Sequence, residues 1–133
     1  MPMARLLVVE DDPDARDLIA MRLVLAGHRV VAIPNAAWAL DTVECVGAPD
    51  AYVLDVGLPD IDGFELLERL RDRADPGVPA IFLTAFTGDN HVARGKAMGA
   101  QYLTKPFRAQ SLINAVDAAV TSAPDVDPMS HGW

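Results

Sequence analysis

The stretch AYVLDVGLPDIDG, residues 51–63, governs how the rest of the chain is read. Tyr52 to Leu54 form an apolar run of the kind that makes a buried strand, and the next residue is a carboxylate, Asp55. Gly57 and Pro59 follow almost at once and turn the chain. The stretch therefore poses a question: why should a core strand stop on an acid?

Four comparable runs flank it: Leu6–Val9, His28–Ile33, Ala80–Leu83 and Gln101–Leu103. Each is short and apolar on both faces, the pattern of parallel strands covered by helices. Longer stretches with helical spacing lie between them. In the first, Asp12-Pro13 supplies a cap and a first-turn residue, Leu18, Met21 and Leu25 fall on one face, predicted as the buried one, and Gly27 is the stop. The second starts after Pro34 at Asn35, with Ala36, Leu40 and Val43 in register. Gly63 opens the third, which buries Leu66, Leu67 and Leu70 and ends before Asp75-Pro76-Gly77. The fourth, over 89–98, is the weakest, because Gly95 in its interior costs about 1 kcal/mol relative to alanine. The fifth spans 108–120 with Leu112, Val116 and Val120 on one face. Five βα units predict an α/β fold of the flavodoxin-like (βα)5 kind: a doubly wound, five-stranded parallel sheet in one domain, residues 1–121. Residues 122–133, with two prolines and little apolar patterning, read as a flexible C-terminal tail.

Composition narrows the function. The 133 residues are 51% apolar, enough for one core. Eleven basic against nineteen acidic residues give a net charge of −8, which opposes binding to nucleic-acid phosphates or to an anionic membrane surface. The single cysteine, Cys45, excludes an internal disulfide and, in a helical stretch, reads as a small buried hydrophobe. No apolar run approaches the roughly 18 residues of a membrane span, and the opening MPMARLL is too short for a signal peptide, so the expected compartment is the cytoplasm. No basic recognition helix or second domain follows residue 121, so direct action as a transcription factor is not expected of this chain.

Asp55 has company. LLVVEDD ends on Glu10, Asp11 and Asp12, AIFLT on Thr84, and QYLTKP carries Lys105. The carboxyl ends of parallel strands lie along one edge, where ligands bind, so these residues should meet. Two carboxylates about 4 Å apart repel by ~1 kcal/mol in water and ~4 kcal/mol at an effective dielectric near 20. With Glu10, Asp11 and Asp55 converging on Lys105 alone, either carboxylates take up protons or a cation binds. An all-oxygen set favours Mg²⁺ before Ca²⁺ and well before Zn²⁺; none of His28, His91 and His131 belongs to the cluster. Phosphoryl transfer suits this set: the metal and Lys105 neutralise phosphoryl oxygens, Thr84 donates to one, and a carboxylate, for which Asp55 is the candidate, attacks phosphorus. Each residue alone has a plainer reading: helix capping for Glu10 to Asp12, an Asx turn at Asp55, a strand residue for Thr84, a surface lysine, a core Tyr102. The chemistry is favoured because four strand ends coincide. Trp38 reads as a packing residue and Trp133 as part of the tail.

From residue 4 to about 121 the chain resembles the receiver domain of two-component response regulators. The acidic pair, Asp55, Thr84 and Lys105-Pro106 occur in the family's order. The resemblance implies that a sensor histidine kinase phosphorylates Asp55. It also implies that Asp11, Asp55 and the backbone carbonyl of Gly57 hold Mg²⁺, with Glu10 acting through a water. Asp12 lies one place beyond the acidic pair and reads as the cap. Thr84 and Lys105 would contact the phosphoryl group, Tyr102 would be the switch aromatic that turns inward when Thr84 moves, and Lys105-Pro106 would be cis. Gly57 and Phe86 offer no polar group to orient an attacking water, which predicts a slowly hydrolysing acyl phosphate. The partners implied are the kinase and either a downstream protein target or a histidine phosphotransfer protein in a phosphorelay. Phosphorylation-dependent pairing of two copies is a further expectation. The partner-reading surface is expected at the fourth helix, fifth strand and fifth helix.

Two rivals share parts of the pattern. A haloacid-dehalogenase-like phosphatase also uses aspartate, threonine, lysine and Mg²⁺, but has a second acid where this chain has Gly57, and a cap insertion that is absent here. A flavin carrier needs a hydroxyl- and glycine-rich phosphate loop after the first strand, where EDDPD would repel phosphate.

Overall fold

A computed structural model of the chain describes residues 3–85 and 89–122, the side chains of 89–91 and 122 excepted. Five strands, β1 (Arg5–Val9), β2 (Arg29–Ile33), β3 (Ala51–Asp55), β4 (Ala80–Thr84) and β5 (Gln101–Thr104), alternate with five helices. The helices are α1 (Pro13–Leu25), α2 (Ala36–Val46), α3 (Gly63–Arg73), α4 (Asp89–Ala97) and α5 (Ala109–Ser122). The strands form one parallel sheet in the order β2-β1-β3-β4-β5, the doubly wound architecture expected. Asp55 and Thr84 are the last residues of their strands, so the polar side chains that end the apolar runs are fixed by the sheet itself.

Local chemistry sets the helix starts. The Asp12, Asn35 and Asp62 side chains accept N–H bonds from Asp14 (3.3 Å), Trp38 (2.8 Å) and Glu65 (2.8 Å), capping α1, α2 and α3. Gly27, at φ 99°, lets the chain leave α1.

Strand alternation builds two cores. Leu7, Val9, Tyr52, Leu54 and Phe82 face α2 and α3; Leu6, Val8, Val53, Ile81 and Leu83 face α1 and α5. β3 and β4 are buried throughout and β1 from Leu6 onward, whereas the edge strands β2 and β5 are only partly covered.

Three expectations about packing fail. Leu18, Met21 and Leu25 are exposed (45%, 52% and 79%), and α1 instead buries Ile19 and Leu23. Apolar residues occur on every side of α1, so several stripes satisfy helical spacing, and contact with β1 and β2 selects among them. Cys45 is exposed, because the buried face of α2 is Ala36, Ala39, Leu40 and Val43 and residue 45 points away from it. Trp38, on the outer face of the same helix, is 55% exposed. The tail over 123–133, Trp133 included, lies outside the described residues, as does Phe86.

Candidate phosphoacceptor site

β1 and β3 are neighbours in the sheet though not consecutive in the chain, and the connections leaving their carboxyl ends diverge to opposite sides. That opens a crevice where Glu10 and Asp11 follow β1 and Asp55 ends β3. Glu10 is buried (1% exposed), Asp55 is buried (7%) and Asp11 is exposed. One carboxylate oxygen from each lies within 4.8 Å of the others.

Lys105 reaches this cluster from the end of β5. Its Nζ lies 2.8 Å from Glu10 Oε2 and 3.7 Å from Asp55 Oδ2. The Lys105 backbone N–H donates to Thr84 O at 2.7 Å, and the Lys105–Pro106 peptide is cis, as the resemblance implies. Burial pushes the Glu10 carboxyl up, the nearby Asp55 charge adds to this, and the Lys105 hydrogen bond only partly offsets it. For Lys105 burial acts against the charged form, but Glu10, Asp55 and Asp11 outweigh it and raise the ammonium. At an effective dielectric near 20, each pair of ionised carboxylates at this spacing repels by roughly 3 kcal/mol, so one ammonium does not balance three acids.

A second cation, not anticipated from the sequence, helps. Arg16, in the first turns of α1, donates from Nη1 to the backbone carbonyls of Glu10 (3.1 Å) and Asp11 (3.5 Å). It thus pins the acidic loop by its backbone, leaving the carboxylates free to face the crevice. Its place four residues after the capping Asp12 was the available signal.

The loop after Asp55 is equally constrained. Asp55 Oδ1 accepts the Gly57 N–H at 3.1 Å while Oδ2 faces Lys105, so the Asx turn and the converging site coexist, one oxygen each. A Cβ built at Gly57 would stand 4.0 Å from Asp55 Oδ1 and near nothing else, so this glycine leaves the carboxylate open on that side. At Gly63 a Cβ would lie 2.5 Å from Asp55 O and 3.0 Å from Val56 Cα, a space no side chain fits. Asp60 reaches across to α2, accepting N–H bonds from Ala36 (3.1 Å) and Ala37 (2.9 Å). Slight desolvation of this exposed side chain opposes ionisation, but those bonds, with that from Ile61, outweigh it and lower its carboxyl. A poor helix former at the first helical position hinted at Gly63; nothing local hinted at Asp60.

Thr84 is wholly buried at the end of β4, one register step beyond Leu83, which pairs with Asp55. Tyr102 is partly buried two residues before the end of β5, opposite Phe82. His28 lies near the start of β2, where its Nδ1 accepts the Ala4 N–H at 3.0 Å, at the opposite end of the sheet from the acids. Among the described residues no helix is long and apolar enough to cross a membrane.

Comparison with known proteins agrees with this geometry. The family model of the response regulator receiver domain matches residues 6–117. An uncharacterized 14.6 kDa protein from Leptolyngbya boryana is 41% identical over 113 residues, covering 84% of this chain and 86% of that one. The transcriptional regulatory protein TrcR of Mycobacterium tuberculosis is 38% identical over 110 residues, covering 82% of this chain and 42% of TrcR, so the chain spans less than half of that relative. Among solved structures, a putative response regulator from Chloroflexus aurantiacus superposes with a TM-score of 0.82 at 32% identity, covering 90% of this chain and 99% of that one. The BeF3-activated DrrB receiver domain superposes at 0.80 with 30% identity, covering 90% and 99%. With its parallel sheet, its acidic crevice and its relatives in agreement, the chain belongs to the response regulator receiver domain family, the phosphoacceptor signalling modules of two-component systems.

Proposed function

We propose that Asp55 is the residue that takes the phosphoryl group, from a sensor histidine kinase and with Mg²⁺ bound. The observation that carries this reading is the meeting of Glu10, Asp11 and Asp55 oxygens within 4.8 Å beside the Lys105 ammonium. The all-oxygen donor set fits Mg²⁺, held by Asp11, Asp55 and the Gly57 carbonyl, with Glu10 acting through a water. Bound there, the ion supplies positive charge to the carboxylates and to the incoming phosphoryl oxygens. An Asp55 carboxylate oxygen then attacks phosphorus as the bond to the donor's phosphorylated imidazolium, protonated on its other ring nitrogen, breaks, giving an acyl phosphate on Asp55 and a neutral imidazole that keeps that proton. Lys105, already within 3.7 Å of Asp55, moves its ammonium from the carboxylate to the phosphoryl oxygens, and the Thr84 hydroxyl donates to one of them. Tyr102 follows Thr84 inward and alters the surface of α4, β5 and α5, which a protein target reads. Residues 1–121 carry this activity, and the cytoplasm is its compartment.

Gly57 supports this role over that of a dehalogenase-like phosphatase, since the position two residues after Asp55 carries no acid to serve the leaving group. The same glycine supports a long-lived acyl phosphate, because no side chain there can orient a water. Relay to a histidine phosphotransfer protein is the second reading, and long life favours it equally.

Intact-mass measurement with acetyl phosphate tests the proposal. One phosphoryl group should be gained with Mg²⁺, be lost in chelator and in Asp55→Asn, and persist for well beyond seconds. Undiminished labelling of Asp55→Asn would refute the assignment; decay within seconds would refute the long lifetime.

A further inference from the structure

An aromatic layer runs across one face of the sheet beneath α4. Phe64 and Phe82 pack with their rings tilted by 53° at 4.6 Å between centroids, Phe82 pairs across the sheet with Tyr102, and Arg94 lies 4.7 Å from the Phe64 centroid. Gly95 is the buried point at which α4 crosses this layer. A Cβ at residue 95 would stand 3.2 Å from Tyr102 Cδ2, 3.4 Å from Phe82 Cδ2 and 3.8 Å from Phe64 Cε1. The sequence alone made Gly95 a helix weakener; the structure makes it a clearance.

A Cβ there would be in ordinary contact with Phe64, but Tyr102 would have to give by a few tenths of an ångström, and a longer side chain would ask for more. Phe82 is wholly buried and has nowhere to go, and Phe64 at 3.8 Å need not move. The helix cannot back away, because its carboxyl end is held twice. The Gly95 carbonyl accepts N–H bonds from Met98 (3.2 Å) and Ala100 (3.0 Å) around Gly99 at φ 72°, and Arg71 Nη1 donates to Met98 O at 2.8 Å. Tyr102, on an edge strand and only partly buried, is the group that yields.

We propose that Gly95 is a positioning residue for the Tyr102 switch: the bare backbone at residue 95 is the seat of the inward ring, and a side chain there drives the ring outward. This rests on the reading of Tyr102 as the switch. The bias acts on the readout of phosphorylation and leaves phosphoryl acceptance at Asp55 unchanged.

The chain has two tyrosines, Tyr52 and Tyr102, so incorporation of 3-fluorotyrosine gives two ¹⁹F resonances, assigned by Tyr102→Phe. Tyr52 is wholly buried and reports folding. Without phosphodonor, Gly95→Ala should leave the Tyr52 resonance in place and enlarge the solvent-isotope shift of Tyr102. With Mg²⁺ and acetyl phosphate its mass gain should equal that of the unsubstituted protein, while a several-fold smaller fraction of Tyr102 reaches the inward resonance. Identical Tyr102 resonances and isotope shifts in both proteins would overturn the proposal. If the unsubstituted protein gained no phosphoryl group, the phosphoacceptor reading would fail, and the donor-free comparison would still decide the seat. Thermal midpoints give an independent arm: Gly95→Ala should raise the midpoint in the Tyr102→Ala background, through helix propensity, and fail to raise it with Tyr102 present. An equal rise in both backgrounds would overturn the clearance argument. If Gly95→Ala alone lost the buried Tyr52 resonance, its recovery on adding Tyr102→Ala would support the seat, and no recovery would overturn it.

Discussion

At the amino edge of the sheet, Arg5 meets Asp50: the Arg5 backbone N–H and Nε donate to Asp50 Oδ2 at 2.8 and 3.0 Å, and Nη2 donates to Oδ1. The Asp50 N–H returns a bond to Arg5 O at 2.7 Å. Here an anion is met by a cation held through several bonds, and the same residues close the backbone where β1 and β3 begin. At the carboxyl edge Glu10, Asp11 and Asp55 crowd within 4.8 Å around the single ammonium of Lys105, with Arg16 engaged by backbone carbonyls. The two edges share strands and cores, so the difference lies in the charge count. A matched pair stabilises the fold and has little left to offer a ligand; a surplus stores repulsion that a cation or a phosphoryl group with its metal can relieve. On the proposed function, stability and chemistry fall at opposite ends of the same strands.

Perturbing each edge should separate the two roles. The largest expected effect is at Gly63, where the carboxyl edge depends on bare backbone: Gly63→Ala should cost about 3 kcal/mol in urea unfolding, the upper end for overpacking. A smaller cost than at the amino edge would show that the loop after Asp55 yields more readily than its contacts suggest. Next, Asp50→Ala should cost about 2 kcal/mol, because it strands a partly buried guanidinium, yet leave phosphoryl uptake intact. Loss of uptake would break the division between edges.

Asp60→Ala comes third, at about 1 kcal/mol near neutral pH, the worth of a helix cap. The Asp60 carboxyl is lowered in the folded state, so its contribution is present above the ordinary carboxylate value and is lost as pH falls through the depressed one. The gap between Asp60→Ala and the unsubstituted protein should close below about pH 4; a gap constant with pH would mean that charge plays no part in the cap. The smallest effect is at the exposed stripe of α1: Leu25→Lys should change stability by no more than about 0.5 kcal/mol. A cost several times larger would mean that the stripe is covered.

These cases also mark what could be read from the sequence. Strand and helix periodicity, with Asp12-Pro13 and Asn35 as helix starts and Gly27 as a stop, was enough for a doubly wound sheet, because those signals act over a few residues. The meeting of Glu10, Asp11, Asp55 and Lys105 followed once the sheet was parallel and doubly wound, since such a sheet puts the strands' carboxyl ends on one edge with β3 beside β1. The buried face of α1 was not legible: Leu18, Met21 and Leu25 satisfy the same spacing as Ile19 and Leu23, and only the sheet decides. Arg16 was hidden because it acts on carbonyl oxygens rather than on the acids themselves. Asp60 caps a helix 24 residues earlier in the chain, a distance at which no local pattern speaks. Gly95 was legible as a glycine, while its meaning depended on the ring of Tyr102 packed against it.

The surplus of charge at the carboxyl edge is tested most directly by thermal unfolding of the unsubstituted protein and of Asp55→Asn, each in chelator and in Mg²⁺. Removing one of three crowded carboxylates should make Asp55→Asn the more stable protein in chelator, and Mg²⁺ should raise the midpoint of the unsubstituted protein while moving that of the variant much less. A variant less stable in chelator, with Mg²⁺ shifting both proteins equally, would contradict the account.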